Sequence, residues 1–260
     1  NDPASRLRGS SGPQMHNTRP RKSSSTEWLT GTPLPRRKAV MGFIGRNGAG
    51  KSTTLKALLG LVHPDAGEVT VLGKSFREEE RYIKERIGVV LGGIDFYPKK
   101  KVRLLGAGPR RFYGNWQEEK YRHYLNLFGI DQEKRVDQLS TGMRVKYMIA
   151  LALSHDARLL ILDEPTSGLD PVSRDELTEL LRRIAADGQR SVLFSTHITS
   201  DLEKCASHIA FIKEGQMQYT GTLEQFRAHY DYLRQGEKEL TMEDIIVAVE
   251  RRPLDENAII

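Results

Sequence analysis

The 260-residue chain has room for one large domain or two small ones, and it carries a formal net charge of +6 and a single cysteine, Cys205. One cysteine excludes an internal disulfide and fits a reducing compartment. No apolar run approaches the length of about 20 residues that a membrane helix needs, so the sequence reads as soluble.

The charge is unevenly placed. Residues 1–38 hold eight Lys/Arg against two acids, which is the whole net charge, while residues 39–260 carry 32 of each sign. A nucleic-acid function for the remainder thereby loses its main support. The same segment holds five of the eleven prolines and almost no apolar periodicity. It is expected to be disordered, with Trp28-Leu29 its only plausible anchor.

Val40 to Ile44 reads as a buried strand. It leads into Gly45-Arg46-Asn47-Gly48-Ala49-Gly50-Lys51-Ser52-Thr53, a G-x-x-x-x-G-K-[ST] loop, and Thr54 to Leu61 leads out as a helix. Glycines let backbone N–H groups turn inward around phosphate oxygens, and the helix start adds its positive end. Lys51 is suited to the β- and γ-phosphates and the Ser52 hydroxyl to Mg²⁺. The stretch is read as a nucleoside triphosphate site.

Gly67 to Gly73 alternates with period two and reads as a half-buried strand. Glu78 to Arg86 is a charged helix or turn, and Ile87 to Leu91 another strand, closed by Gly92-Gly93. In residues 99–111, six of thirteen are Lys or Arg, and Gly106, Gly108 and Pro109 are expected to break any helix. A helix resumes from Trp116, its stripe of Tyr121, Tyr124, Leu125 and Phe128 expected to be core packing. Leu139 to Met143 precedes an apolar helix running to about Ser154. Arg158 to Asp163 is an apolar strand ending in Asp163-Glu164. Leu177, Leu180, Leu181 and Ile184 mark a helix, Ser191 to Ser195 a strand before Thr196-His197, and His208 to Thr220 a hairpin turning at Glu214-Gly215. Thr241 and Asp244 suggest a capped helix with Met242, Ile245, Ile246 and Val249 on one face. Strands alternating with helices around a phosphate loop imply an α/β fold with a largely parallel sheet.

In such sheets ligands bind beyond the carboxyl ends of the strands. Asp163 is suited to hold Mg²⁺ with Ser52, and Glu164 to orient or deprotonate an attacking water. His197, also at a strand end, can donate a hydrogen bond to a γ-phosphate. Ser140-Thr141-Gly142 before a helix is a second, weaker anion-binding start, because Ser and Gly there are also ordinary caps.

These residues in this order resemble the nucleotide-binding subunit of ABC transporters, over residues 39 to about 230. Gly45–Thr53 corresponds to Walker A, Leu159–Asp163 to Walker B and Glu164 to the catalytic glutamate. Leu139-Ser140-Thr141-Gly142-Met143 stands in for the signature, Ser167-Gly168-Leu169-Asp170 for the D-loop, and His197 for the switch histidine. The Met143 variant and short length most resemble single-cassette subunits of small bacterial exporters.

The resemblance implies a P-loop NTPase fold of ABC type, with a small antiparallel subdomain and a helical signature subdomain at about 99–145. Residues 231–260 would form a C-terminal helical extension. It also implies ATP and Mg²⁺, and a head-to-tail pairing, as homodimer or with a second ATPase subunit. In that pairing Ser140, Gly142 and Asp170 complete the partner copy's nucleotide site. A membrane-spanning partner would hold the chain at the cytoplasmic face of the cell membrane.

Three features depart from the pattern. Residues 16–26 hold no aromatic for stacking adenine, the glutamine expected after Leu91 falls on Gly92 or Gly93, and residues 1–38 lack an opening strand. Two rival readings remain: a subunit with weak or no hydrolysis, and a non-transport ABC ATPase.

Overall fold

The computed structural model describes residues 39–91, 97–234, 236 and 239–251. The expectations for residues 1–38 with Trp28, for Gly92-Gly93 and for residues 252–260 lie outside them.

The elements, in chain order, begin with β1 (Val40–Ile44), α1 (Lys51–Leu58), β2 (Thr70–Val71), β3 (Lys74–Ser75), α2 (Phe76–Lys84) and β4 (Ile87–Leu91). Then come α3 (Val102–Leu105), α4 (Ala107–Phe112), α5 (Glu118–Leu127), α6 (Thr141–Ser154), β5 (Leu159–Asp163) and α7 (Pro171–Ala186). The chain continues with β6 (Ser191–Thr196), α8 (Thr199–Cys205), β7 (His208–Lys213), β8 (Gln216–Thr222), α9 (Leu223–His229) and α10 (Met242–Glu250).

Six strands form one sheet in the order β4-β5-β6-β1-β7-β8. Every neighbouring pair is parallel except the β7–β8 hairpin, which turns at Glu214 and Gly215, both at positive φ. Parallel strands covered on both faces read as continuous apolar runs, and β1 and the first four residues of β5 are buried throughout.

Side chains alternate across the sheet, so each strand feeds two cores. Val40, Ile44, Leu160, Leu162, Val192 and Phe194 pack with α6, α7 and α8 on one face. Met41, Phe43, Leu159, Ile161 and Leu193 pack with α1, α2 and the β2–β3 hairpin on the other. Each such side chain contributes about 1.5–3 kcal/mol by burial. A third cluster, built on Val102, Tyr121, Leu125, Val136 and Tyr147, holds α3, α5 and α6 together as a helical region. The expected aromatic stripe is thus packing: Tyr121 and Leu125 are buried there, and Tyr124 and Phe128 lie against it.

The structure corrects the sequence reading at three places. Residues 102–105 and 107–112 form two short helices, parted at Gly106 as expected but with the second continuing through Gly108 and Pro109. Pro109 falls in the first turn of α4, where its missing N–H leaves no helical bond unmade. Gly106 keeps right-handed helical angles, φ −61° and ψ −24°. A Cβ on it would sit 2.6 Å from the Tyr121 ring, so the glycine permits the approach of α5. Secondly, the strand expected over Gly67–Gly73 shrinks to Thr70–Val71, because Leu72 and Gly73, at positive φ, turn the chain back into β3. Thirdly, the helix after the phosphate loop starts at Lys51 and not at Thr54.

Near the C-terminus, Thr241 and Asp244 form the capping box. Fully buried Met242 and Ile245 join the main core, so α10 is seated on the sheet domain.

Candidate functional site

The register aligns the carboxyl ends of the strands: Leu91 pairs with Asp163, Asp163 with Ser195, and Ile44 with Thr196. Gly45 to Gly50 leave β1 at this edge and curl back into α1. Gly48 at φ 82° and Gly50 at φ 109° take left-handed angles that a side chain resists. A Cβ on Gly45 would stand 2.3 Å from the Ile212 carbonyl oxygen, so the loop can lie against β7 only as glycine. The Gly215 N–H donates to the Ala49 carbonyl at 2.9 Å, pinning the loop to the β7–β8 turn. Ala49 is buried, whereas Asn47 and Gly48 are exposed.

Lys51, the first residue of α1, is 5% exposed. Its Nζ donates to the carbonyls of Gly45 at 2.7 Å and Arg46 at 3.2 Å. Ser52 is half-buried and Thr53 exposed on the same first turn. With no acidic side chain in that turn, the helix start keeps its positive end for an anion.

Asp163 and Glu164 are held from β6. Ser195 Oγ donates to Asp163 Oδ1 at 2.5 Å and accepts from the Glu164 N–H at 2.9 Å. Glu164 itself has φ 47°, a left-handed backbone unusual for a glutamate, and such strain persists only where the surroundings enforce it. The bend turns its carboxylate to Lys51 Nζ at 3.3 Å and His197 Nδ1 at 2.9 Å. The structure therefore brings Lys51, Asp163, Glu164 and His197 together. Beside Glu164, a cavity of about 950 Å³ opens between β4 and the helical region, with Tyr97, Leu104 and Phe112 on its wall.

The second group caps the starts of two other helices. Ser140 caps α6 by accepting from the Met143 N–H at 3.2 Å. Asp170 caps α7 by accepting from Val172 and Ser173, both at 3.0 Å. The hydrogen bonds from Ser173, then that from Val172, hold its carboxyl below the usual range. Ser173 joins the two starts: its Cβ and Oγ lie 3.4 Å from where a Cβ on Gly142 would be.

Ser195 escaped the sequence reading. Its signal was present, a hydroxyl closing an otherwise apolar strand, but only the strand register shows that it faces Asp163.

Comparison with known proteins agrees with this geometry. Residues 36–167 match the ABC transporter family. The bacitracin transport ATP-binding protein BcrA of Bacillus licheniformis is 36% identical over 183 residues, covering 68% of this chain and 59% of that protein. The ABC transporter ATP-binding protein NatA of Bacillus subtilis is 35% identical over 195 residues, covering 71% and 77%. The chain spans 59% of the length of the first curated relatives it matches. Among solved structures, an ATP binding subunit of an ABC transporter superposes with a TM-score of 0.72 at 25% identity, covering 83% of this chain and 90% of that one. A dimeric ATP-binding cassette in a post-hydrolysis state, bound to ADP and Pi, shares the fold, with a TM-score of 0.63 at 20% identity over 72% and 86%.

Proposed function

This chain belongs to the ABC transporter family, and from that premise we propose that it is an ATP-hydrolysing subunit that powers a separate membrane-spanning partner. One observation carries the reading: Lys51, Glu164 and His197 converge on one point at the carboxyl edge of the sheet, under a helix start. A cation, a carboxylate and an imidazole there suit transfer of a phosphoryl group to water.

The residues present fit Mg²⁺. The Ser52 hydroxyl and the Asp163 carboxylate are the hard oxygens that ion prefers, and the Ser195 hydrogen bond fixes the carboxylate's orientation. Bound there, Mg²⁺ would neutralise phosphate charge. Gly45 to Thr53 offer backbone N–H groups to the phosphates, and Lys51 exchanges the Glu164 carboxylate for phosphate oxygens. Released from Lys51, Glu164 takes a proton from water as the water oxygen bonds to the γ-phosphorus. The bond from that phosphorus to the bridging oxygen breaks, and its electron pair leaves on ADP. His197 holds the γ-phosphate by a hydrogen bond and keeps Glu164 oriented.

Ser140 and Gly142 act in trans on a second copy's nucleotide in a head-to-tail dimer, with Asp170 securing the neighbouring helix start. Docking of the membrane partner at the cavity beside Glu164 is supported by its exposed wall, where Phe112 is 83%, Tyr97 64% and Leu104 51% exposed. Clustered apolar exposure of that kind marks an interaction surface. Such a partner would hold the chain at the cytoplasmic face of the membrane; among the described residues no helix is long and apolar enough to cross one.

Phosphate release from Mg·ATP by the purified chain tests the reading, with and without the membrane partner. Wild-type turnover that Glu164→Gln abolishes supports it. Absence of turnover in both conditions returns the chain to a nucleotide-binding role without hydrolysis.

A further inference from the structure

His197 sits in the two-residue connection between β6 and α8, and its ring is 43% exposed. Where it stands therefore depends on how α8 is seated. Asp201, in the first turn of α8, is 1% exposed and faces Arg174 of α7, with Nε 4.0 Å from Oδ1. Arg174 Nε and Asp201 Oδ2 are both buried, and among the described residues neither has a hydrogen-bond partner.

A buried carboxylate facing a guanidinium at this range is poised between two arrangements. An approach of roughly 1 Å closes it into charge-assisted hydrogen bonds. Withdrawal leaves a buried charge uncompensated, which is strongly unfavourable. The helices share a second ion pair, Lys204 with Asp175, but its side chains are 52% and 66% exposed. Water weakens such surface pairs. Arg174 also follows Ser173, the residue that meets Gly142 at the start of α6. The buried pair thus ties the helix that follows His197 to the helix that Asp170 caps.

We propose that Arg174 and Asp201 are positioning residues for hydrolysis: their pairing seats α8 so that His197 meets Glu164. The inference rests on the hydrolytic role given above to Glu164 and His197. In this role the pair acts through His197, not by binding nucleotide or by holding two copies together.

The test is steady-state ATP hydrolysis by the full chain, beside nucleotide affinity. Arg174→Met and Asp201→Asn are each expected to lower kcat about tenfold or more, with KM for ATP within about twofold of wild type. Because the residues act as one unit, the double variant should lose no more than either single one. Arg174→Lys should recover part of the rate, Lys204→Met should leave it unchanged, and Arg174→Met added to Glu164→Gln should still give an ATP-dependent dimer. If a single variant fails to fold, the double variant, which leaves no lone buried charge, decides by its kcat.

Hydrolysis at the wild-type rate in the double variant overturns the pairing, as does a rise in KM that accounts for the loss. Loss of the dimer on adding Arg174→Met overturns it also. A wild-type chain that does not hydrolyse ATP, or an equally active Glu164→Gln, overturns instead the hydrolytic reading beneath it.

Discussion

The two groups of site residues are built on opposite plans. At the carboxyl edge of the sheet, Lys51, Glu164 and His197 satisfy one another, and Ser195 braces the Asp163 carboxylate and the Glu164 backbone from the neighbouring strand. At the start of α6, Ser140 is exposed and its hydroxyl serves its own helix. Asp170 likewise serves α7. The first group can act on a phosphate within one chain. The second offers donors toward solvent, and its use requires something from outside, which the proposed dimer supplies. In the proposed dimer, completeness separates the half to which the chemistry is assigned from the half that would license it.

Breaking the complete half should have the largest effects. Glu164→Gln keeps the shape of the carboxylate but loses its basicity, and turnover should fall about 10²–10⁴-fold, with ATP affinity preserved. Phosphate release and calorimetry on the same preparation check both parts. Lys51→Ala removes the buried cation and should weaken Mg·ATP binding about 100-fold or more, since each charge-assisted hydrogen bond is worth about 1.5–3 kcal/mol. The circular dichroism spectrum should not change, because Lys51 packs no core.

Much of this site was legible because its chemistry is local in sequence. A glycine loop between a strand and a helix, and two acids ending an apolar strand, need only neighbouring residues to be recognised. What escaped notice depends on distant segments meeting. Ser195 matters through a strand register, and Arg174 and Asp201 through the packing of two helices. Residues 102–112 misled for a different reason. Glycine and proline ordinarily break helices, whereas this proline falls in a first turn, and Gly106, which parts α3 from α4, admits the Tyr121 ring.

The joint between the two regions gives a smaller test. His155, at the end of α6, is buried, stacks on Tyr113 at 3.8 Å and reaches the Glu85 carbonyl just before β4. Burial holds its pKa below the ordinary histidine value, against the opposing pull of that hydrogen bond. The unfolded chain therefore takes up a proton at a pH where the folded one does not. Stability should fall as pH drops through the ordinary histidine range, the fall ending once the folded pKa is passed. Melting temperatures across pH 5–8 should show this slope, and His155→Gln should flatten it.

Smallest of all is the effect of challenging the core behind the complete half. Burial pushes the Cys205 thiol up to about 12, so a thiol-specific dye should react with the native chain far more slowly than with the unfolded one. Matching rates would mean that α8 opens readily, and that the seat of His197 is loose.

The central claim, that an incomplete half in one copy completes the site of another, is tested most directly by mass in solution. Glu164→Gln at saturating Mg·ATP, followed by light scattering on a sizing column, is expected to elute at twice the chain mass. Adding Ser140→Arg, which fills the exposed helix start with a long cation, should return it to a monomer while nucleotide stays bound. A monomer in the first case, or an undisturbed dimer in the second, would contradict the claim.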